Sequence, residues 1–364
     1  MNALIILGVF ALISLAFGLL LKLFAVKKLS CIRSFSKTAV FEGETGEMVE
    51  VVSNHSWMIV PWLRIESRVS PHLRFGRLDN LDVIGQMYHK SIFTLMPYQR
   101  ITRRHKVHFI HRGAFNIGNA SITAGDFLGV FSDSQEQRLD INLLVYPRLL
   151  DNSELPEPFS RLIGDCLVQR QLLRDPFMIS GIRPYQLGDN VRDIHWPATA
   201  RTGDVQVRVH DFTAQTKLLV LINMQLTEKQ WGNLMEYEQG PVEKAIAMAA
   251  TLCVRALRAG LPAGFGANMP IGESKESTLL LPAGGAAREE ELLAAFARMR
   301  VLRACSFNTY LDSLQNVTGM DIVILSCYES EQMKKRIEAL RLRGNTVRVY
   351  QLERGVTQYD TGEA

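Results

Sequence analysis

Residues 217–223 read Lys-Leu-Leu-Val-Leu-Ile-Asn, a short and almost entirely apolar run. Successive side chains of a strand point to opposite faces of a sheet, so an unbroken apolar run is typical of a strand buried on both faces. Strands of this kind occur mainly in parallel sheets that are covered by helices on both sides. The run therefore predicts an α/β domain at this point of the chain.

The residues after this run alternate between helical and strand patterns. Apolar residues at helical spacing predict a helix over residues 242–257, which Gly260 and Pro262 end. Further helices are predicted around residues 289–299 and 330–343, and further strands at 321–325 and 346–352. This alternation favours a mainly parallel sheet with right-handed crossovers, here over residues 214–364.

The short motif Gly264-Phe265-Gly266 resembles part of a dinucleotide-binding fingerprint. The third glycine of that fingerprint would fall at Met269, and no predicted helix begins there. We interpret these residues as a loop and predict that the protein holds no cofactor.

Residues 29–148 have a different pattern, in which short strands are separated by turns. Leu63, Ile65, Ser67 and Val69 alternate with charged residues, which is the period of a half-buried strand. Several strands of this length predict an all-β sandwich of the immunoglobulin-like kind. The basic stretch 100–106 is interpreted as the solvated face of a strand, with a lipid-headgroup patch as the alternative.

The first residues predict a transmembrane anchor over residues 1–28. Residues 3–21 carry no charge, and at about 1.5 Å per residue a helix of this length crosses a hydrocarbon core of about 30 Å. A cleaved signal peptide is the alternative, but it calls for a basic start and a shorter apolar core. Lys27 and Lys28 follow the run, so the positive-inside rule predicts an inner-membrane protein with cytoplasmic soluble domains.

The composition also restricts the classes of partner and the cellular compartment. A net charge of +4 over 364 residues, without a basic stripe, argues against nucleic acid as a partner. The five cysteines form no Cys-x-x-Cys pair, which favours free thiols in a reducing compartment over a disulfide framework.

A dense motif lies between the two predicted domains, in residues 149–213. Residues 181–196 read Gly-Ile-Arg-Pro-Tyr-Gln-Leu-Gly-Asp-Asn-Val-Arg-Asp-Ile-His-Trp, and Ala200 and Arg201 follow. This stretch resembles the signature of a bacterial and archaeal family, domain of unknown function fifty-eight. The resemblance implies an N-terminal membrane span, a β-rich region and a von Willebrand factor A-like C-terminal domain. It also implies a partner, a MoxR-type AAA+ ATPase, and a role in the assembly or maturation of other complexes.

Two interpretations of this signature segment stay open. Arginines form bidentate bonds with carboxylates, and tyrosine and tryptophan supply the large amphipathic area that interfaces favour. The segment is therefore a partner-binding surface, or its residues satisfy one another and hold it against the C-terminal domain. The candidate residues are Arg183, Tyr185, Gly188, Asp189, Arg192, Asp193, His195, Trp196 and Arg201.

The sequence does not favour a metal site in the C-terminal domain. Von Willebrand factor A domains often hold a divalent cation through Asp-x-Ser-x-Ser after the first strand, and the resemblance places Asn223, Gln225 and Thr227 there. Without the carboxylate these positions form a degenerate site, and we predict no metal.

The favoured function is a membrane-anchored, non-enzymatic adaptor. A first alternative is a hydrolase that uses residues 181–201 with His195 as general base. A second is an outward-facing protein that binds the cell envelope.

Overall fold

The computed structural model describes the chain apart from residues 1, 22–23, 25, 77–80, 83–87, 128–130, 169–178, 187–188, 211–216 and 354–364. The chain divides into two compact units, Met1–Arg148 and Leu149–Ala364.

Unit 1 begins with helix α1, Asn2–Leu20, and a short 3-10 turn, Val26–Lys28. Ten described strands follow: β1 Leu29–Phe35, β2 Ala39–Phe41, β3 Thr45–Asn54, β4 Val60–Arg68, β5 Leu73–Phe75, β6 Leu81–Asp82, β7 Tyr88–Leu95, β8 Arg100–Phe109, β9 Gly113–Gly125 and β10 Ser132–Tyr146. They form one sheet in the order β1-β3-β8-β5 and another in the order β2-β10-β9-β4-β7-β6. The β-rich N-terminal region predicted from the sequence is confirmed.

The two sheets of unit 1 share apolar cores. Met48 and Val107 of the first sheet lie in one buried cluster with Ile117 and Leu143 of the second. Period-two alternation explains this packing, because Leu63 and Ile65 point inward from β4 while Arg64 and Glu66 point away from the core.

A charged cluster lies in the interior of unit 1. The Arg33 guanidinium donates from Nε to Glu50 Oε1 at 2.7 Å and from Nη2 to His89 Nδ1 at 3.2 Å. His105 Nε2 lies 3.3 Å from Glu50 Oε2. All four side chains are buried, so the cluster depends on its internal hydrogen bonds.

Burial and the neighbouring groups shift the pKa values of two side chains in the cluster. Burial alone would raise the pKa of Glu50, but the His105 hydrogen bond and the Arg33 charge outweigh it and hold that pKa at about 2. Burial lowers the pKa of His89 to about 3, and the Arg33 charge acts in the same direction. His89 Nε2 has no hydrogen-bond partner among the described residues.

Unit 2 contains a two-stranded sheet and a five-stranded sheet. Its described strands are β11 Ile179–Pro184, β12 Gln206–His210, β13 Lys217–Ile222, β14 Ala263–Ala267, β15 Thr278–Ala283, β16 Met320–Ser326 and β17 Thr346–Gln351. Its described helices are α2 Glu157–Val168, α3 Trp196–Thr202, α4 Gly240–Arg258, α5 Ala286–Arg298, α6 Phe307–Ser313 and α7 Glu331–Leu342. The larger sheet has the order β15-β14-β13-β16-β17, with β15 antiparallel and the other strands parallel. The predicted α/β region is confirmed, with a mixed sheet.

Alternate residues of β13 enter two separate cores. Leu218, Val220 and Ile222 lie in a cluster with residues of α4 and α5. Leu219 and Leu221 lie in another with residues of α6 and α7. Helices therefore cover both faces of the central strand, as an unbroken apolar run requires.

The interpretation of residues 264–266 as a loop is wrong, because they form the middle of β14. A Cβ on Gly264 would collide with the backbone of Leu280 and Leu281, and one on Gly266 would collide with the Tyr310 hydroxyl. The two glycines are there because neighbouring groups approach the strand closely.

Within the described part of the chain, no helix meets the length and apolarity that a membrane crossing requires.

The buried cluster of unit 1 predicts a loss of stability in mild acid. His89 has a pKa of about 3 in the folded protein against an ordinary value of 6.5, so the unfolded state binds more protons between these values. Lowering the pH from 7 to 5 should therefore reduce the free energy of unfolding by about 2 kcal/mol. The depressed Glu50 pKa acts at lower pH, below its ordinary value of 4.5. Hydrogen exchange of the β3 amides in the full chain measures the loss.

The matched variant is His89→Gln, whose amide oxygen still accepts from Arg33 but whose side chain does not titrate in this range. It should lose most of the pH dependence. Equal slopes in the two proteins would show that another group is responsible.

Candidate functional site

The carboxyl edge of the five-stranded sheet brings polar side chains from several loops together. Asn223 directly follows β13, Asn268 directly follows β14, and Ser326 ends β16. These three strands are parallel neighbours, so their carboxyl ends meet at one edge. Ligands of open α/β sheets bind at such edges.

A hydrogen-bond network fills this edge. Asn223 Nδ2 donates to Ser326 Oγ at 3.0 Å, and Asn223 Oδ1 accepts from the Gln225 backbone N–H at 2.9 Å. Asn268 Oδ1 accepts from the Met224 N–H at 2.9 Å, and Gln225 Oε1 accepts from the Phe307 N–H at 2.7 Å. The side chains of Asn223, Gln225, Asn268 and Ser326 are all buried.

The chemistry of this edge does not suit a divalent cation. The buried polar groups are amides and a hydroxyl, without a carboxylate to balance two positive charges. Their oxygens are directed at backbone N–H groups, while Thr227, the third position of the degenerate motif, is exposed. Among the described residues, no group of three His, Cys, Asp or Glu side chains is placed to hold a metal. The network instead ties four loops together without charge.

Sequence reasoning missed Asn268 and Ser326. The signal for Ser326 is its position at the end of a predicted apolar strand, next to that of Asn223. The signal for Asn268 was hidden because β14 was interpreted as a loop.

The signature segment forms a small substructure of its own. β11 pairs antiparallel with β12, with Arg183 opposite Val207. Between these strands lie a 3-10 turn, Val191–Asp193, and helix α3. The predicted residue Gly188 lies outside the described residues.

Arg183 and Asp189 satisfy one another. Arg183 Nη1 lies 2.7 Å from Asp189 Oδ2, and Nη2 lies 2.6 Å from Oδ1, which is bidentate geometry. Asp189 Oδ2 also accepts from the Gln186 N–H at 2.8 Å. This pair therefore shapes the turn after β11.

His195 caps helix α3. The imidazole Nδ1 accepts from the Ala198 backbone N–H at 3.0 Å. The backbone N–H of His195 donates to the Gln206 carbonyl at 2.8 Å. With Nδ1 used as the acceptor, the neutral ring carries its proton on Nε2. Taking up a second proton at Nδ1 would break the cap, so the arrangement does not suit a general base.

Other residues of the segment are exposed. Trp196 is 66% exposed, and Tyr185 and Val191 are exposed as well. The side chains of Arg192 and Arg201 are exposed and form no ion pair among the described residues. We refer to Tyr185, Val191, Arg192, Trp196 and Arg201 as the signature surface.

No curated protein matches the sequence significantly. Among solved structures, a CARDB domain from Pyrococcus furiosus is similar at 13% identity and a TM-score of 0.24, over 34% of this chain and 94% of that domain. A cohesin from Archaeoglobus fulgidus is similar at 12% identity and a TM-score of 0.22, over 30% of this chain and 91% of that one. A Salmonella alpha-2-macroglobulin variant is matched over 7% of its own length and 34% of this chain, at 18% identity and a TM-score of 0.26. These scores assign neither a fold nor a function.

The family comparison concerns the part of the chain that includes the signature segment. Residues 181–350 match the family model described as Protein of unknown function DUF58. The match begins at Gly181, the first residue of the signature, and extends through most of the α/β unit. The family predicted from the signature is thereby confirmed as a match: residues 181–350 of this chain match the DUF58 family model.

Proposed function

We propose that the protein is a membrane-anchored, non-enzymatic adaptor whose C-terminal unit binds another protein through the signature surface. The exposure of Trp196, within a few residues of two exposed arginines that form no ion pair with any described residue, Arg192 and Arg201, carries this proposal. Tryptophan, tyrosine and arginine are the residue types that contribute most to protein–protein affinity.

The network at the carboxyl edge of the sheet supports a non-enzymatic role. Its amides are buried and bonded to backbone groups, so they are not available to bind or activate a substrate. We infer a von Willebrand factor A-like fold for this unit. Its order β15-β14-β13-β16-β17, with an antiparallel edge strand, supports this, and the degenerate positions Asn223 and Gln225 fit recognition without a metal. We infer an immunoglobulin-like sandwich for unit 1 from its two packed sheets.

The partner is proposed from family resemblance. That resemblance implies a MoxR-type AAA+ ATPase and a role in the assembly or maturation of other complexes. The proposed location is the inner membrane, with the apolar residues 3–21 as anchor and both units in the cytoplasm. Cys31 and Cys253 are free thiols and are buried, which suits a reducing compartment.

Truncation of the exposed tryptophan tests the signature surface. Trp196→Ala should weaken binding of the purified full-length protein to a purified MoxR-type ATPase by about 30-fold, the effect of losing an aromatic hot spot. Titration in detergent with a slowly hydrolysed ATP analogue measures the affinity. Arg192→Ala should act in the same direction.

Two variants elsewhere in unit 2 serve as controls. Trp231 is 83% exposed and Arg298 is exposed on α5, so Trp231→Ala and Arg298→Ala remove similar side chains. Both should bind like the wild type. If Trp196→Ala binds normally, or if all four variants are equally weak, the signature surface is not the contact.

Substitution of His195 separates the adaptor from the hydrolase. Asparagine is a good N-cap residue, so His195→Asn should keep helix α3 and bind the partner normally. His195→Ala should destabilise the helix by about 1 kcal/mol and increase hydrogen exchange in residues 196–202. A hydrolase that needs the imidazole would lose its turnover in both variants, and that result would favour the enzyme.

A further inference from the structure

Three connections and the start of β1 lie at one end of the unit 1 sandwich. Strand register places them together, because Leu29 pairs with Asn54, Val60 with Leu95, and Gly125 with Ser132. The connections β3–β4, β7–β8 and β9–β10 therefore surround the point where the chain leaves the 3-10 turn Val26–Lys28. We call this the proximal end.

Hydrogen bonds hold the proximal end together. The Lys28 carbonyl accepts from the His55 N–H at 3.0 Å. Asn54 Nδ2 donates to the carbonyls of Met58 at 2.8 Å and Met96 at 3.0 Å. The Tyr98 N–H donates to the Ser56 carbonyl at 3.1 Å. The β3–β4 and β7–β8 connections are thus fixed to each other and to the chain after α1.

Helix α1 is attached to the third connection. Ser14 Oγ donates to Asp126 Oδ2 at 3.4 Å, and the rings of Phe17 and Phe127 lie 5.7 Å apart. The Phe131 ring lies against Gly18 so closely that a Cβ there would collide with it. Because Phe127 contacts this part of α1, the two lie at a similar depth in any lipid layer that α1 enters.

The exposed side chains of the proximal end are amphipathic and cationic. Trp57, Tyr98 and Phe127 are 54%, 71% and 68% exposed, and Met96 is exposed too. The exposed cations are Lys27, Lys28 and Arg100. Of the nearby carboxylates, Asp126 is buried and Asp133 is half-buried, so positive charge dominates the surface.

We propose that the proximal end is seated in the surface of an anionic lipid bilayer. Phe127 enters the acyl region beside α1, and Trp57 and Tyr98 lie at headgroup level, where such rings are preferred. Lys27, Lys28 and Arg100 contact anionic headgroups. This inference rests on the proposed membrane anchoring and adds that the sandwich itself contacts lipid.

Charge and continuity favour lipid over a protein at this surface. The exposed apolar residues Val9, Phe10, Leu12 and Ile13 of α1 continue into the cluster around Phe127. Cations then follow at the 3-10 turn. An apolar segment, an aromatic zone and a cationic zone in this order match the layers of a bilayer surface.

Fluorescence quenching tests the proposal. The full-length protein is reconstituted in vesicles of phosphatidylcholine and phosphatidylglycerol, with and without bromine on the acyl chains. The emission of Trp57, taken as the difference between wild type and Trp57→Phe, should fall about twofold in brominated vesicles, as expected for an interfacial indole. Phe127→Trp in the Trp57→Phe background should be quenched more strongly. Thr45→Trp, at the opposite end of β3, is the control and should respond to aqueous iodide instead.

Flotation of the vesicles separates this proposal from the anchoring on which it rests. If the protein does not float with the vesicles, the anchoring proposal fails. If it floats but Trp57 and the Phe127→Trp indole respond to iodide and not to bromine, the anchoring stands and the lipid-seated end is overturned. If the protein floats but these side chains are shielded from both quenchers, another protein or a second copy of this chain covers the surface, and the proposal is overturned as well.

Discussion

The burial of β13 on both faces constrains the whole of unit 2. Each of its five apolar residues, Leu218 to Ile222, is fully buried. Neither face can meet water, so α4 and α5 must cover one side and α6 and α7 the other. The parallel pairing with β14 and β16 then follows from the crossovers that these helices make. It also brings the carboxyl ends of three strands to one edge.

The chemistry at that edge decides what unit 2 is suited to do. A carboxylate there would need a cation, whereas buried amides need hydrogen-bond partners, and the backbone of neighbouring loops provides them. The edge is therefore a structural junction in which buried amides connect neighbouring loops. The recognition that we propose for this unit uses exposed side chains such as Trp196. In the signature segment, Arg183 and Asp189 form the turn and His195 caps the helix, so the candidate residues divide between structural and exposed positions.

The sequence predicted the strands and helices whose apolar residues follow a strong local periodicity. The strand at 217–223 and the helix at 242–257 have strong periodicity, and the structure has β13 and α4 there. The strand β14 was missed because Ala-Gly-Phe-Gly-Ala lacks branched side chains, and its glycines are explained by contacts with residues distant in sequence. The ion pair of Arg33 with Glu50 also could not be predicted from local sequence, because it depends on the register in which β1 pairs with β3. The bidentate pair of Arg183 with Asp189 lies within six residues of sequence, and mutual satisfaction of such residues was one of the two interpretations that the sequence left open.

The attachment of α1 to the β9–β10 connection has a consequence for how unit 1 forms. Ser14 and Asp126 are 112 residues apart in the chain, so a ribosome completes the helix long before its docking site exists. Closing so long a loop costs entropy, and the site itself forms after β9 and β10 pair. Until Asp126 has been synthesised, α1 is an exposed apolar segment that lacks its native contacts and is free to bind other apolar surfaces. Docking of α1 is therefore a late step of folding, and the order of events is set by translation.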